Sequence, residues 1–233
     1  MFDRIYAWKN NKQREKEIGD ETFKRVEIRG SESPTWVCFL PWRVSFEDAQ
    51  RYGFIPKKGR VIAYEGPIGL AHPDPAVSKK LLNELVADIR GVNLQKFNVL
   101  SLSIGLWPGF YVANHFNVDR LVSVSLGSRL GECIYAGIAT QGVRRRSVAL
   151  GYLESLHYDA RIAGTNPIEN LDNLPEVVEL HVATHDLYIP TSSGEEVLAE
   201  LTRRGKAHKV VRYNGKGHFL MLAEFGARSK EGF

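Results

Sequence analysis

Two periods of apolar residues alternate along the chain, and their order predicts an architecture. In "TFKRVEIR" (22–29), Phe23, Val26 and Ile28 stand among Lys24, Arg25, Glu27 and Arg29. That near-alternation predicts a half-exposed edge strand with one slip in register. "TWVCFL" (35–40) and "RVIAY" (60–64) are continuous apolar runs, the form taken by strands covered on both faces of a parallel sheet. Between them "SFEDAQRYGF" predicts a short helix capped by Ser45. In "HPDPAVSKKLLNELVADIRG", Val77, Leu81, Leu82, Leu85, Val86 and Ile89 fall on one helical stripe, so this helix lies on a sheet. Asp74 is its predicted N-cap, Pro75 suits its first position and Gly91 follows its end. A strand in "FNVLSLS", a helical stretch in "IGLWPGFYVANHF" and a strand in "RLVSVSLG" (120–127) continue the series.

Residues 128–170 interrupt the rhythm. "VRRRSVALGYLESLHYDARI" is helical by pattern, yet no strand precedes or follows it closely. The series then resumes with a strand at 177–184, a helix at 192–205, a strand at 208–213 and a last helix in "HFLMLAEF". Strands alternating with helices predict an α/β fold, a doubly wound and mostly parallel sheet with right-handed crossovers. Residues 1–233 read as one domain. Within it 128–170 is expected to form a small helical lid, and the polar segment 1–20 an arm or surface helix.

Composition narrows the picture without redrawing it. With 43% hydrophobic and 25% charged residues, the chain has the make-up of an ordinary globular protein. No run approaches the roughly 18 apolar residues of a membrane span. The opening "MFDRIYAWKNNKQREKE" turns charged too soon for a secretory signal. The formal charge is +4, with an isoelectric point near 9.0. The basic residues are nevertheless dispersed or sit in short groups such as Arg144 to Arg146, with no stripe or module that reads nucleic acid. Two cysteines occur, Cys38 and Cys133. Cys38 lies in an apolar run as a small hydrophobe, which favours a reducing cytoplasm.

The chemistry begins at "SLSIG". Ser103 ends one strand and starts the next helix, on the rim where open parallel sheets bind ligands. A sharp strand-to-helix turn leaves room only for small residues two positions away on either side, and Ser101 and Gly105 stand there. Such a turn lifts the Ser103 hydroxyl outward and aims the Ile104 backbone N–H, at a helix start, where an oxyanion would form. This is a nucleophile elbow. A nucleophilic serine needs a base, and the base an orienting carboxylate. "VATHDLYIP" puts Asp186 just past one later strand, and "YNGKGHFLM" puts His218 just past the last. Ser103, Asp186 and His218 thus occupy three strand-end loops on one rim.

With "SLSIG" as elbow, "HDLYIP" as acid loop and "GKGHF" as histidine loop, the chain resembles the α/β-hydrolases from about residue 22 to its end. The resemblance implies a serine hydrolase: acyl transfer to Ser103, then attack by water activated by His218, with Asp186 holding the imidazole. It places the second oxyanion donor after the strand 35–40, where Pro41 has no N–H and Trp42 does. Trp42 and Trp107 are expected beside an apolar or aromatic part of the substrate, and His157 is a further pocket candidate. No metal and no cofactor are expected. The expected partner is a small ester or thioester, and a homodimer is left open.

Other assignments carry less. His181 and His185 are four apart on a predicted strand, roughly 13 Å, too far for one ion. Ser101 and Ser125 sit inside strands, and Asp159 and Asp172 would have to reach in from the interrupting segment or its exit. Pro108, five residues past Ser103, predicts an irregular start to the helix there. The same three residues also serve acyltransferases, lyases and cofactor-free peroxidases, and a fold kept for ligand binding alone is the non-enzymatic alternative.

Overall fold

A computed structural model describes residues 22–28, 33–66 and 68–229, so the expected arm at 1–20 lies outside the described residues. The strands are β1 (Lys24–Ile28), β2 (Thr35–Phe39), β3 (Arg60–Glu65), β4 (Phe97–Leu102), β5 (Val118–Val124), β6 (Val177–Ala183) and β7 (Lys209–Tyr213). They form one sheet in the order β1-β3-β2-β4-β5-β6-β7. Only β1 is antiparallel, paired with β3 at the edge. The sheet is therefore mostly parallel and doubly wound, as expected.

Side chains alternate across it. Val37, Phe39, Val99, Leu121 and Leu180 face one core, while Trp36, Cys38, Leu100, Val122 and Val124 face the other. Helices α1 (Phe46–Tyr52) and α8 (His218–Ser229) cover the second face through Phe46, Ala49, Met221 and Phe225. Helices α2 (Pro75–Gly91), α3 (Leu106–His115) and α7 (Thr191–Arg203) cover the first. Both caps foreseen from sequence are made: Asp48 N–H donates to Ser45 Oγ at 3.1 Å and Ala76 N–H to Asp74 Oδ1 at 2.9 Å. Each such cap is worth about 1 kcal/mol of helix stability.

Several boundaries differ from expectation by a few residues, two of them for a visible reason. Gly91 closes α2 from inside, and the terminal N–H bonds fall to Val92. The strand expected at 120–127 runs earlier, Val118–Val124: β4 pairs it from Val118, and the chain leaves the extended form at Ser125, whose φ is 109°.

Residues 128–170 fold into α4 (Leu130–Ala136), α5 (Gln141–Ala149), α6 (Ser155–Arg161) and a 3-10 turn at Pro167–Glu169. The single helical pattern read across 143–162 breaks at Gly151, whose φ is 95°. This segment is tied down rather than loose. The Tyr158 hydroxyl lies 2.8 Å from the His72 carbonyl and from Ser78 Oγ, and Ser147 Oγ donates to the Pro73 carbonyl at 2.8 Å. Both anchors sit at the N-terminal end of α2.

The chain turns back between β3 and β4, since β2 lies between them. Loops after β2 and β4 therefore diverge, and the crevice they leave is where open α/β sheets bind ligands.

Candidate active site

Ser103 stands at the mouth of that crevice. It follows β4 at φ 55°, begins a 3-10 turn over Ser103–Gly105, and α3 starts only at Leu106. Pro108 is thus the third residue of α3, where its missing N–H removes no intrahelical bond, and the irregular start anticipated from it is present. The small residues around the serine are required, but not by the two arms of the turn crowding each other. A Cβ on Gly105 would lie 2.5 Å from the Phe39 carbonyl oxygen of β2, the neighbouring strand. Ser101 faces α3, where a Cβ on Gly109 would come within 2.5 Å of the Ser101 Cβ. Ser101 is itself buried, with its hydroxyl donating to Ser123 Oγ at 3.0 Å.

The three loops converge. Ser103 Oγ lies 2.8 Å from His218 Nε2, and His218 Nδ1 lies 2.7 Å from Asp186 Oδ2. A carboxylate only accepts, so Nδ1 carries the proton and Nε2 is left to accept from the serine hydroxyl. The other Asp186 oxygen, Oδ1, accepts the backbone N–H groups of Tyr188 at 2.8 Å and Ile189 at 2.9 Å, which fixes the carboxylate. The imidazole and carboxylate side chains are only 2% and 6% exposed, so this contact is shielded from water. His218 is the first residue of α8, and α8 runs from the β7 side back over β6 and β5 to α1. The histidine itself is placed by the preceding loop 214–217, which leaves β7 and docks on the end of β6: the Gly215 N–H donates to Thr184 Oγ1 at 2.9 Å and the His185 N–H to the Lys216 carbonyl at 3.1 Å.

Trp42 and Ile104 both border a small cavity that includes Ser103. Trp42 lies in the turn that follows β2, next to Arg43 at φ 59°. Two non-glycine residues with left-handed backbone, Arg43 and Ser103, therefore flank the same crevice, the kind of local strain found at functional sites. Trp107 is a correction. It is 1% exposed within the core beneath α3, and it borders neither cavity at Ser103. His157 is also elsewhere: it lies exposed on α6 near Glu154 and borders neither cavity.

The alternatives are engaged elsewhere. Asp159 Oδ1 accepts the Gly131 N–H at 2.7 Å, and Asp172 pairs with Arg204 at 2.6 Å. His181 is buried in β6 with Nδ1 2.9 Å from the Tyr213 hydroxyl, and burial pushes its pKa down to about 4. Cys133 borders the small cavity, but burial pushes its thiol up, which keeps it protonated and a poor nucleophile. Two residues escaped the reading of the sequence. Tyr188 stacks on His218 and borders both cavities, and Phe219 packs edge-on against Tyr188. The only signals for them were an aromatic two positions past the acid and one directly after the histidine.

The sequence matches no family model and no curated protein. Solved structures do match the fold. The acylaminoacyl peptidase of Pyrococcus horikoshii superposes with a TM-score of 0.61 at 11% identity, over 91% of this chain and 41% of that one. This chain therefore spans about two fifths of the peptidase's length. A serine hydrolase from Cycloclasticus zankles gives a TM-score of 0.55 at 10% identity, over 92% of this chain and 94% of that one. The monoacylglycerol lipase of Paleococcus ferrophilus gives 0.53 at 11% identity, over 90% and 100%. With its mostly parallel seven-stranded sheet, its serine turn and these neighbours, the chain has the α/β-hydrolase fold.

Proposed function

We propose that this protein is a serine hydrolase that cleaves a small carboxylic ester or thioester through an acyl-enzyme, with Ser103 as nucleophile, His218 as general base and acid, and Asp186 as orienting carboxylate. The observation that carries the reading is the unbroken contact chain from Ser103 Oγ through both His218 nitrogens to Asp186. In this mechanism Ser103 Oγ attacks the acyl carbonyl while its proton passes to His218 Nε2. The tetrahedral oxyanion is received by the backbone N–H groups of Ile104 and Trp42. His218 then returns the proton to the leaving oxygen or sulfur, the C–O or C–S bond breaks, and water repeats the sequence to release the acid.

Residues 128–170 serve as a cap over the acyl side of this site. Buried, unpaired Cys38 and Cys133 support a cytoplasmic setting. Among the described residues no helix is long and apolar enough to cross a membrane. One neighbour is a peptidase, so p-nitroanilides are tested beside the esters to address amide cleavage.

The direct test is Ser103→Ala assayed on p-nitrophenyl acetate. Turnover is expected to fall by at least about 1,000-fold with an unchanged circular dichroism spectrum. Undiminished turnover would defeat the proposal.

A further inference from the structure

Ser103 stands between two cavities of very unequal size, and proton transfer dictates which part of a substrate enters each. The smaller, about 30 Å³, is bounded by Ser103, Ile104, Leu130, Cys133, Ile134 and Ile189 among others. The larger, about 650 Å³, is bounded by Ser103, His218, Tyr52, Phe54, Phe219 and Leu222 among others. Ile104 borders only the first, and His218 only the second.

A carbonyl carbon attacked by Ser103 carries three further substituents. Its oxygen turns toward the N–H of Ile104. Its leaving group must face His218 Nε2, because the imidazole that took the serine proton returns it there. The acyl substituent is left with the remaining direction, into the small cavity beyond Ile104. A cavity needs about 10–15 Å³ of such space to hold one water, so about 30 Å³ holds roughly two water-sized groups, which admits a methyl or ethyl group.

The small cavity is small because its wall is held in place. Helix α4 supplies Leu130 and Ile134, 3% and 0% exposed. The Leu130 N–H donates to Asn166 Oδ1 at 3.0 Å and the Gly131 N–H to Asp159 Oδ1 at 2.7 Å. At the far end of the helix the Thr140 hydroxyl lies 2.8 Å from the Ile134 carbonyl, and the Ile138 N–H donates to the Leu187 carbonyl at 2.9 Å. A longer acyl chain would have to move a helix anchored at both ends. The other cavity, at about 650 Å³, is walled mainly by aromatic and aliphatic side chains.

We infer that the substrate is an ester of a two- or three-carbon acid with a bulky, largely apolar alcohol or phenol. The inference rests on the hydrolase reading above and narrows it: acyl length is restricted by α4, while the leaving group is accommodated along α8.

The test varies one side at a time. p-Nitrophenyl acetate, butyrate and octanoate change the acyl group over a constant leaving group. Phenyl and 1-naphthyl acetate change the leaving group over a constant acyl group. Each methylene beyond the capacity of a pocket costs roughly 10- to 200-fold in kcat/KM. A fall of at least about 10-fold is therefore expected from acetate to butyrate and a further fall at octanoate, with 1-naphthyl acetate at least as good a substrate as phenyl acetate. Leu130→Ala should raise the butyrate-to-acetate ratio by roughly 10-fold. Ile189→Ala, which trims another wall, should do the same and covers the case in which Leu130→Ala does not fold.

Octanoate turned over as fast as acetate by the native protein would overturn the inference while leaving the hydrolase reading intact. So would an unchanged ratio in a folded wall variant. No turnover of any ester, with Ser103 unlabelled by a fluorophosphonate, would overturn both.

Discussion

The ring of Tyr188 lies parallel to the imidazole of His218, with 14° between the planes and 5.0 Å between the centroids. Its own backbone N–H holds Asp186 at 2.8 Å, so one short loop sets both the carboxylate and a wall for the imidazole. Aromatic pairs of this kind are worth about 0.5–1.5 kcal/mol beyond burial. Tyr188→Ala is therefore expected to lower kcat on p-nitrophenyl acetate by about 2- to 13-fold, and Tyr188→Phe to restore it. A Tyr188→Phe variant as impaired as Tyr188→Ala would shift the role from ring to hydroxyl.

Asp186→Asn keeps an Oδ1 that can accept from Tyr188 and Ile189, so the loop is expected to keep its shape. What changes is Oδ2, which becomes an amide nitrogen and can no longer accept from His218 Nδ1. The tautomer presented to Ser103 is then wrong. kcat is expected to fall on the order of 10⁴-fold with little change in thermal midpoint. Activity within tenfold of the parent would remove Asp186 from the mechanism.

The close approach of α3 to β4 predicts a coupled pair. Gly109→Ala places its Cβ against the Ser101 side chain and should cost about 1–3 kcal/mol in urea denaturation. Ser101→Gly removes the obstacle, although it also gives up the hydrogen bond to Ser123. The double variant should be more stable than the sum of the two single losses, by at least about 0.5 kcal/mol. Strict additivity would show that the helix shifts instead.

Asp159 predicts a dependence of stability on pH. Burial pushes its carboxyl up to about 6, with the Gly131 N–H opposing, because only one of its oxygens has a hydrogen-bond partner among the described residues. The folded chain disfavours the charge. The group therefore adds stability below about pH 4, its ordinary range, and that contribution is lost as pH rises through about 6. The loss is on the order of 3 kcal/mol. Asp159→Asn abolishes the titration, so the stability of the parent relative to this variant should fall between about pH 4 and about pH 7. A difference that stays constant across that range, measured by urea unfolding, would exclude the role.

Much of this site was legible from the linear chain because the clues are local. Ser103 stands where an apolar run gives way to a helical stretch, which announces a strand-to-helix turn, although the small size of Ser101 and Gly105 answers to Gly109 and Phe39 rather than to the turn. Asp186 and His218 each follow a run that reads as a strand. The Ser45 and Asp74 caps were legible for the same reason, since a cap acts on its own next two or three residues. Trp107 was misread on the same evidence. Its position beside Ser103 is consistent with either face of α3, and only the sheet beneath determines that the ring is buried.

The succession of strands and helices and the three strand-end loops were thus written into side-chain periodicity, which depends on neighbours within a turn or a strand, whereas the order of the strands in the sheet was not. The tertiary structure alone decided that the loop after β7 docks on the end of β6 so that His218 meets Ser103, and that Tyr188 stacks on it. It alone also decided that α4, anchored through Asp159 and Asn166, leaves a small cavity on one side of the serine and a large one on the other. Those outcomes depend on which distant surfaces bury one another, a property of packed pairs that no single stretch of chain carries.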